Sequence, residues 1–192
     1  MTDRPLVVMA LEAEDRGFFA NEGVEVLFTG IGKVNAAYRL TRRLALSRPG
    51  LVVNFGTAGS RRHAAGTVLA CQRFVQRDID VSGLGFEPGH TPFEDVPREL
   101  EFPPLFTDLP RGVCGTGDRF ETALGDSACD VVDMEAYALA KVCWLERVPF
   151  ACAKYVSDGA DERAANDWAA QLDAAARSFV RLYREFIETR PR

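Results

Sequence analysis

An apolar run, Leu51-Val52-Val53-Asn54-Phe55, leads into the glycine-containing segment Gly56-Thr57-Ala58-Gly59. Short runs of apolar and β-branched residues, bounded by turn residues, are typical of strands buried on both faces of a sheet. The stretch therefore predicts a buried strand over residues 51–55, closed by Gly56 and Gly59. Strands of this kind occur in sheets that helices cover on both faces.

The same apolar pattern recurs along the chain and alternates with helix-compatible segments. Further strands are predicted over residues 6–11, 24–28, 67–75, 113–116, 131–132 and 149–156. Helices are predicted over residues 33–47, 136–145 and 164–188, and residues 12–20 are polar and compatible with a helix. Residues 78–111, rich in Gly and Pro, form the one long irregular segment. This alternation predicts a single-domain α/β fold over residues 1–192, with a mixed or mostly parallel sheet.

The overall composition is that of an ordinary globular protein. Hydrophobic residues make up 47% of the 192 residues and charged residues 27%, which excludes wholesale disorder. The formal net charge of −5 disfavours nucleic-acid binding, which draws its affinity from cationic contacts to phosphates. No apolar stretch reaches the roughly 18 residues of a membrane span, and the N-terminus lacks the pattern of a signal peptide. We therefore expect a cytoplasmic protein with no nucleic-acid or membrane partner.

The cysteines and histidines form no pattern for a disulfide framework or a metal site. The five cysteines are odd in number and contain no C-x-x-C pair, so we interpret them as reduced thiols in a cytosolic core. His63 and His90 are the only histidines, and neither has a neighbour at metal-ligand spacing. We expect neither a metal nor a cofactor.

Gly30-Ile31-Gly32-Lys33-Val34 invites a nucleotide-binding interpretation that its details do not support. A dinucleotide fingerprint needs a third glycine, and a P-loop needs Ser or Thr directly after its lysine, where Val34 stands. What remains is a glycine turn that opens a helix. The glycines serve either the geometry of the turn or the close approach of backbone to a ligand, and the sequence leaves both open.

Acidic residues follow three of the predicted strands. They are Glu12 and Glu14 after the first strand, Asp133 and Glu135 after the strand at 131–132, and Asp158 and Asp161 after the last strand. Taken singly, each can cap a helix N-terminus, where a carboxylate is stabilised. Taken together, they can converge on one pocket, because α/β sheets bind ligands outside the carboxyl ends of their strands. Glycosidic cleavage needs such a set, with one acid for the leaving group and one carboxylate near the attacking water.

Three segments resemble the signature segments of the nucleoside phosphorylase/nucleosidase superfamily. They are the stretch 54–59, Val132-Asp133-Met134-Glu135-Ala136 and Val156-Ser157-Asp158-Gly159-Ala160-Asp161. Within the superfamily, the resemblance is closest to bacterial 5′-methylthioadenosine/S-adenosylhomocysteine nucleosidases, and the matching segments follow in family order. The resemblance implies a three-layer α/β/α fold with a mixed central sheet. It also implies a purine nucleosidase that hydrolyses the N-glycosidic bond of a 5′-modified adenosine and releases adenine.

The resemblance further implies roles for individual residues. Asp158 is similar to the general acid that protonates N7 of the departing purine, and Glu14 is similar to the glutamate that orients the attacking water. Glu135 resembles the carboxylate that holds the ribose hydroxyls, with Met134 packed beside the sugar. By the same resemblance, Phe120 stacks on the purine, the Glu121 backbone reads the purine edge, Ile31 contacts the 5′ substituent, and Thr57, Gly59, Asp133, Ser157 and Trp168 complete the site.

Two intervals are shorter than in the nucleosidases, the one between Glu14 and Gly30 and the one between Phe86 and Gly117. Both lie where the resemblance places the 5′ side of the pocket and the contact between subunits. Residues 80–86 resemble the interface loop of the family, so we expect a homodimer. The shortened regions predict a pocket that is more open on its 5′ side.

Two other functions remain open at this point. A phosphorylase of the superfamily holds phosphate with arginines, one of them just after the first strand, where this chain has Glu14 and then Arg16. A carboxylate at that position repels phosphate, which favours hydrolysis. The second alternative is a nucleoside-binding protein without catalysis. Such a protein needs neither a general acid nor a residue that holds water.

Overall fold

The computed structural model describes residues 5–124 and 128–189, and its strands form one sheet. The strands are β1 Leu6–Met9, β2 Val26–Phe28, β3 Val52–Gly59, β4 Val68–Gln76, β5 Glu99–Glu101, β6 Arg111–Thr116, β7 Val131–Asp133 and β8 Phe150–Asp158. The helices are α1 Glu12–Asp15, α2 Phe18–Asn21, α3 Lys33–Leu46, α4 Ala136–Glu146 and α5 Ala164–Thr189. The predicted order of strands and helices is confirmed, with differences in three segments.

The sheet is mixed, and five of its strands, β3, β8, β4, β6 and β7, close into a ring. Strands β2, β1, β3 and β8 lie side by side and parallel, and β4 is antiparallel to β8. β6 is parallel to β4 and β7 is parallel to β6, while β5 pairs antiparallel with β4. A single antiparallel pair, Gly59 with Val132, joins β7 back to β3. This contact brings the carboxyl ends of β3, β7 and β8 to one place.

An apolar core fills the space on each face of the sheet. On one face α3 and α4 bury Leu40 and Leu139 against Val8. On the other face α2 and α5 bury Phe19 and Phe179 around Phe55, with ring centroids 5.7 and 5.3 Å from that of Phe55. Helices therefore cover both faces of a mixed sheet, and the expected three-layer α/β/α fold is confirmed.

The first difference lies in residues 51–59. Gly56 and Gly59 do not close the strand, because β3 pairs with β8 from Val52 through Gly59. A Cβ on Gly56 would lie 3.0 Å from Nζ of Lys154, and one on Gly59 would lie 2.8 Å from Oδ1 of Asp158. These glycines give polar side chains room to approach the strand, a common use of glycine inside a sheet.

The other two differences lie in residues 12–20, which were predicted to be compatible with one helix, and in residues 78–111, which were predicted to be irregular. Residues 12–20 form two short helices, α1 and α2, because Arg16 and Gly17 both adopt left-handed backbone, with φ of 52° and 77°. Most of residues 78–111 is irregular, as expected, but it contains a 3₁₀ turn at Ser82–Leu84 and the short strand β5. Among the described residues, no helix combines the length and the apolar character that crossing a membrane requires.

Candidate active site

A cleft lies where the carboxyl ends of β1, β3, β7 and β8 meet. All twelve residues that the sequence analysis assigned to the site line it: Glu14, Ile31, Thr57, Gly59, Phe120, Glu121, Asp133, Met134, Glu135, Ser157, Asp158 and Trp168. Ala10, Leu11, Ala58 and Val132 add apolar wall, and Arg77 and Arg119 add charge. The acidic residues after the three strands therefore converge, apart from Glu12 and Asp161, which do not line the cleft.

Glu14 is buried on the first turn after β1 and is held by three donors. Its Oε1 accepts hydrogen bonds from the backbone N–H of Thr57, at 2.8 Å, and from the Thr57 hydroxyl, at 2.7 Å. Its Oε2 accepts one from the backbone N–H of Leu11 at 3.3 Å. The Thr57 hydroxyl in turn accepts a hydrogen bond from Nε1 of Trp168 at 2.9 Å. The carboxylate is therefore fixed in position from both α1 and β3.

Asp158 ends β8 and is almost completely buried. The Ser157 hydroxyl donates to its Oδ2 at 2.8 Å, and the backbone N–H of Ala160 donates to its Oδ1 at 2.9 Å. Burial raises the pKa of Asp158 above the ordinary value, and the charges of Asp167 and Asp161 add to the rise, while the two hydrogen bonds oppose it. A raised pKa suits a carboxyl group that must deliver a proton near neutral pH.

Glu135 precedes α4 and is buried in the same cleft. Its Oε1 accepts a hydrogen bond from the backbone N–H of Gly32 at 2.8 Å. Burial and the negative charge of Asp133 raise the pKa of Glu135 to about 8, against the opposing effects of Lys154 and the Gly32 amide. The glycine turn at 30–32 thus places a backbone N–H on a carboxylate of the cleft, and its left-handed backbone, with φ of 81° at Gly30 and 93° at Gly32, requires glycine for the turn itself.

Asp133, which lines the cleft, forms a buried ion pair with Lys154, with 2.8 Å between Nζ and Oδ2. Burial alone would raise the pKa of Asp133, but Lys154 and the hydrogen bonds from Thr116 and the Ala136 amide hold it below the ordinary value. Asp133 thereby keeps its negative charge and caps the start of α4. Lys154 was not predicted from the sequence, although a lysine inside the apolar run 150–156 was a usable signal.

The opposite wall of the cleft carries an aromatic ring and a charged cluster. Phe120 presents a partly exposed ring to the cleft. The buried Glu121 carboxylate accepts hydrogen bonds from Arg77, at 2.9 Å, and from Arg119, at 3.0 Å. Burial would raise the pKa of Glu121, but Arg119, the Ala123 amide and Arg77 lower it on balance. Neither arginine was predicted from the sequence, because each owes its place to the folding of a separate strand end.

The arrangement is suited to cleavage of a glycosidic bond. It places a buried carboxyl group of raised pKa, Asp158, and two further carboxyl groups, Glu14 and Glu135, around one space that can hold a sugar. Protonation of the leaving group and carboxylates near a positively charged transition state are the two requirements of that chemistry. The flat ring of Phe120 offers a stacking surface for a heterocyclic base.

Comparison with known protein families and sequences gives a consistent result. Residues 16–188 match the family described as the Phosphorylase superfamily. A 5′-methylthioadenosine/S-adenosylhomocysteine nucleosidase of Haemophilus influenzae (strain PittEE) is 30% identical over 209 residues, which cover 98% of this chain and 91% of that protein. The nucleosidase of the same name from Exiguobacterium sp. (strain ATCC BAA-1283 / AT1b) is 31% identical over 172 residues, which cover 77% of this chain and 72% of that protein.

Solved structures share the fold. The Helicobacter pylori 5′-methylthioadenosine/S-adenosylhomocysteine nucleosidase in complex with a substituted pyrrolidinol superposes with a TM-score of 0.87 at 20% identity, covering 97% of this chain and 98% of that chain. The native futalosine hydrolase of Helicobacter pylori superposes with a TM-score of 0.89 at 21% identity, covering 98% of both chains. Because the two structures carry differently named activities, the fold alone does not select a substrate.

Proposed function

This chain belongs to the phosphorylase superfamily and, within it, to the 5′-methylthioadenosine/S-adenosylhomocysteine nucleosidases, and we propose that it hydrolyses the N-glycosidic bond of a 5′-modified adenosine. The observation that carries the proposal is the convergence of Glu14, Glu135 and Asp158 on one cleft that Phe120 also lines. The products are adenine and the 5′-modified ribose.

The bond from C1′ to N9 breaks while water adds to C1′. Asp158 gives its proton to N7 of the purine, so the base leaves as a neutral molecule rather than as an anion. Glu14, held by Thr57 and Leu11, orients the attacking water and accepts its proton. With one proton delivered to the base and one taken from water, the charge of the site is unchanged over the reaction.

Glu135 and Met134 bind the ribose. The ionised Glu135 carboxylate accepts hydrogen bonds from the ribose hydroxyls and stabilises the positive charge that develops at C1′. Phe120 stacks on the purine, and the backbone of Glu121 reads its edge. Ile31, whose apolar side chain lines the same cleft, contacts a methylthio or alkyl group at the 5′ position.

Hydrolysis fits the cleft better than phosphorolysis. Arg16 is the arginine that left a phosphorylase open in the sequence. It does not line the cleft, and its Nε lies 3.6 Å from Oδ1 of Asp173 on α5. The arginines that do line the cleft, Arg77 and Arg119, are bonded to the buried Glu121. A phosphate would also meet the Glu14 carboxylate, which repels it.

The experiment is adenine release from 5′-methylthioadenosine, with and without phosphate. Release at the same rate in both conditions supports the nucleosidase, and dependence on phosphate replaces it by a phosphorylase. Failure to cleave any of 5′-methylthioadenosine, S-adenosylhomocysteine, 5′-deoxyadenosine and adenosine, with binding retained, would leave only the nucleoside-binding protein. A clear preference for AMP or unmodified adenosine would overturn the assignment of an apolar 5′ substituent.

The proposed enzyme is a homodimer. Leu84 and Phe93, in the irregular segment, have side chains 70% and 91% exposed, and Ile31, Val34 and Tyr38 expose a second apolar group at the start of α3. Exposed apolar clusters of this kind mark interaction surfaces, and two-fold pairing is the commonest closed symmetry. Sedimentation at micromolar concentration tests this, and Leu84→Asp is expected to shift the protein towards monomer. A monomeric wild-type protein would exclude the dimer.

The proposed cellular location is the cytoplasm. All five cysteines are buried, and Cys71, Cys114, Cys143 and Cys152 carry free thiols. Thiols persist in the reducing cytosol and are oxidised more readily outside it. Localisation of the tagged full chain by cell fractionation tests this proposal.

A further inference from the structure

Three charged residues outside the lining of the cleft join three separate segments beside it. Nζ of Lys33, at the start of α3, lies 2.5 Å from Oδ1 of Asp78, which follows β4, and 3.7 Å from Oδ2 of Asp118, which follows β6. The backbone N–H of Lys33 donates to Oδ1 of Asp118 at 2.8 Å. The backbone N–H of Asp118 donates to Oδ2 of Asp78, also at 2.8 Å. We call these three residues the clamp.

Each side of the clamp adjoins a residue with a role in the site. Gly32 directly precedes Lys33 and donates its backbone N–H to Glu135 at 2.8 Å. Phe120, the stacking ring, comes two residues after Asp118. Gly32 has a φ of 93°, and a Cβ on it would lie 3.1 Å from Oδ1 of Asp118. The clamp therefore connects the start of α3, where the Gly32 amide contacts Glu135, with the segment after β6 that carries Phe120.

We propose that Lys33, Asp78 and Asp118 are positioning residues, which hold the Gly32 amide against Glu135 and fix the sugar side of the cleft relative to Phe120. The inference rests on the proposed nucleosidase function. The clamp touches neither substrate nor reacting atoms. It acts through the Gly32 N–H, because Lys33 is the next residue of the chain and both its backbone and its side chain are bonded within the clamp.

Stability alone does not account for this arrangement. Partly exposed ion pairs contribute little to the stability of a fold, and the Lys33 and Asp118 side chains are 16% and 45% exposed. Two of the clamp contacts are backbone N–H groups of different segments, each bonded to a carboxylate of another segment. Such contacts determine the relative position of the segments, whereas a pair between two side-chain tips would leave that position free.

Ionisation of Glu135 gives a readout that a purely structural role would not move. The groups that act on Glu135 are Asp133 from β7, Lys154 from β8, Glu14 from α1 and the Gly32 amide at the start of α3. Loss of the Gly32 hydrogen bond removes a contact that stabilises the ionised form, so the pKa of Glu135 rises. Ligand binding that needs the ionised Glu135 carboxylate then requires a higher pH.

Two variants separate positioning from simple charge effects. Lys33→Met removes a cation, and Coulomb's law alone would raise the pKa of Glu135. Asp118→Ala removes an anion, and Coulomb's law alone would lower it. Loss of the Gly32 contact raises the pKa in both variants. A shift to higher pH in both is therefore the signature of positioning, and shifts in opposite directions would show a charge effect only.

The measurement is the dissociation constant of a C-nucleoside analogue of 5′-methylthioadenosine, whose C–C glycosidic bond cannot be hydrolysed, across pH 5–10. Glu135→Gln identifies the pH-dependent step that belongs to Glu135. We expect about tenfold weaker binding at pH 7 in Lys33→Met and Asp118→Ala, on the scale of a lost hydrogen bond to a charged group. Lys33→Arg should recover most of the loss.

Lys141→Met is the matched control. Lys141 forms a lysine–carboxylate pair with Glu94 at 2.5 Å and similar exposure, and neither residue lines the cleft. It should leave the affinity and its pH dependence at wild-type values. If Lys33→Met and Lys141→Met changed the affinity and its pH dependence equally, in proteins whose unfolding curves match, the proposed positioning role of the clamp would be wrong. A wild-type protein that neither binds nor cleaves the nucleosides would overturn the proposed function instead.

Discussion

Lys154 and Asp133 form an ion pair whose two side chains are only 2% and 1% exposed, with Nζ and Oδ2 2.8 Å apart. The pair lies close to Glu14, since a Cβ on Gly56 would lie 3.0 Å from Nζ of Lys154 and 3.6 Å from Oε1 of Glu14. Asp133 also accepts hydrogen bonds from the Thr116 hydroxyl and the Ala136 amide. Strands β6, β7 and β8 and helix α4 are thus tied together by one carboxylate.

Lys154→Met should lower the free energy of unfolding by about 3–5 kcal/mol, because it leaves the buried Asp133 charge without its cation. Urea unfolding monitored by circular dichroism measures this. Arg48→Met, which removes a surface pair with Glu146, is the control and should cost about 0–1 kcal/mol. Equal losses in the two variants would mean that burial does not set the strength of the Lys154 pair.

Asp158→Asn should reduce kcat for 5′-methylthioadenosine by at least about 10²-fold, because the amide cannot donate the proton that N7 needs. The Ser157 and Ala160 contacts hold the side chain in place, so the fold should be unchanged. Asp173→Asn is the control and should keep the wild-type kcat. Asp173 is an exposed aspartate on α5 that pairs with Arg177 and does not line the cleft. Turnover of Asp158→Asn within a few-fold of wild type would assign the proton to another group.

The positions of the strands and of the acids were predictable because both leave local traces. Apolar runs such as 51–55 and 149–156 indicate buried strands, and the acids that follow them mark the edge at which parallel strands end. The family resemblance then identified the residues that share the cleft. Only the tertiary structure brings Glu14, Glu135 and Asp158 to one cleft, since they come from distant parts of the chain.

What the sequence did not reveal depends on contacts between distant segments. The two glycines at 56 and 59 are local signals for a turn, but pairing with β8 along the whole strand outweighs them. Arg77 pairs with the buried Glu121 across 44 residues, which no local pattern reports, whereas Arg119 pairs with the same carboxylate from only two residues away. The clamp at Lys33 is invisible for the same reason, since its partners lie 45 and 85 residues away.

Trp168→Phe should reduce kcat by about 2–10-fold with little change in KM. The variant keeps an aromatic ring but removes the N–H that donates to the Thr57 hydroxyl, which in turn donates to Glu14. Loss of one hydrogen bond is worth about 0.5–1.5 kcal/mol, and this one orients Glu14, whose proposed role is to act on water rather than on substrate binding. Steady-state kinetics with 5′-methylthioadenosine measure the change.

A double-mutant cycle tests whether Trp168 acts through Thr57. In a Thr57→Val protein the hydroxyl is absent, so Trp168→Phe should have no further effect on kcat. Trp144→Phe, on the far end of α4 and outside the cleft, should match wild type. Full additivity of the Thr57 and Trp168 effects would exclude the relay.

Glu135 should make the stability of the unliganded protein fall as pH rises from about 4.5 to 8. The pKa of Glu135 is raised to about 8 in the folded protein, whereas an unfolded glutamate titrates near 4.5. Between these values the folded state binds a proton that the unfolded state does not, so the free energy of unfolding decreases with pH in that window. Each pKa unit corresponds to about 1.4 kcal/mol, so the total effect is a few kcal/mol at most.

Glu135→Gln should remove this part of the pH dependence, because the amide does not titrate. The difference in unfolding free energy between the variant and wild type should therefore shift in favour of the variant between pH 5 and pH 8.5. Urea unfolding at the two pH values measures this difference. The control is Glu12→Gln, which replaces an exposed glutamate on α1. Equal losses of stability in Glu135→Gln and wild type over this interval would contradict the prediction, since Glu135 would then be ionised throughout and its burial would not raise its pKa.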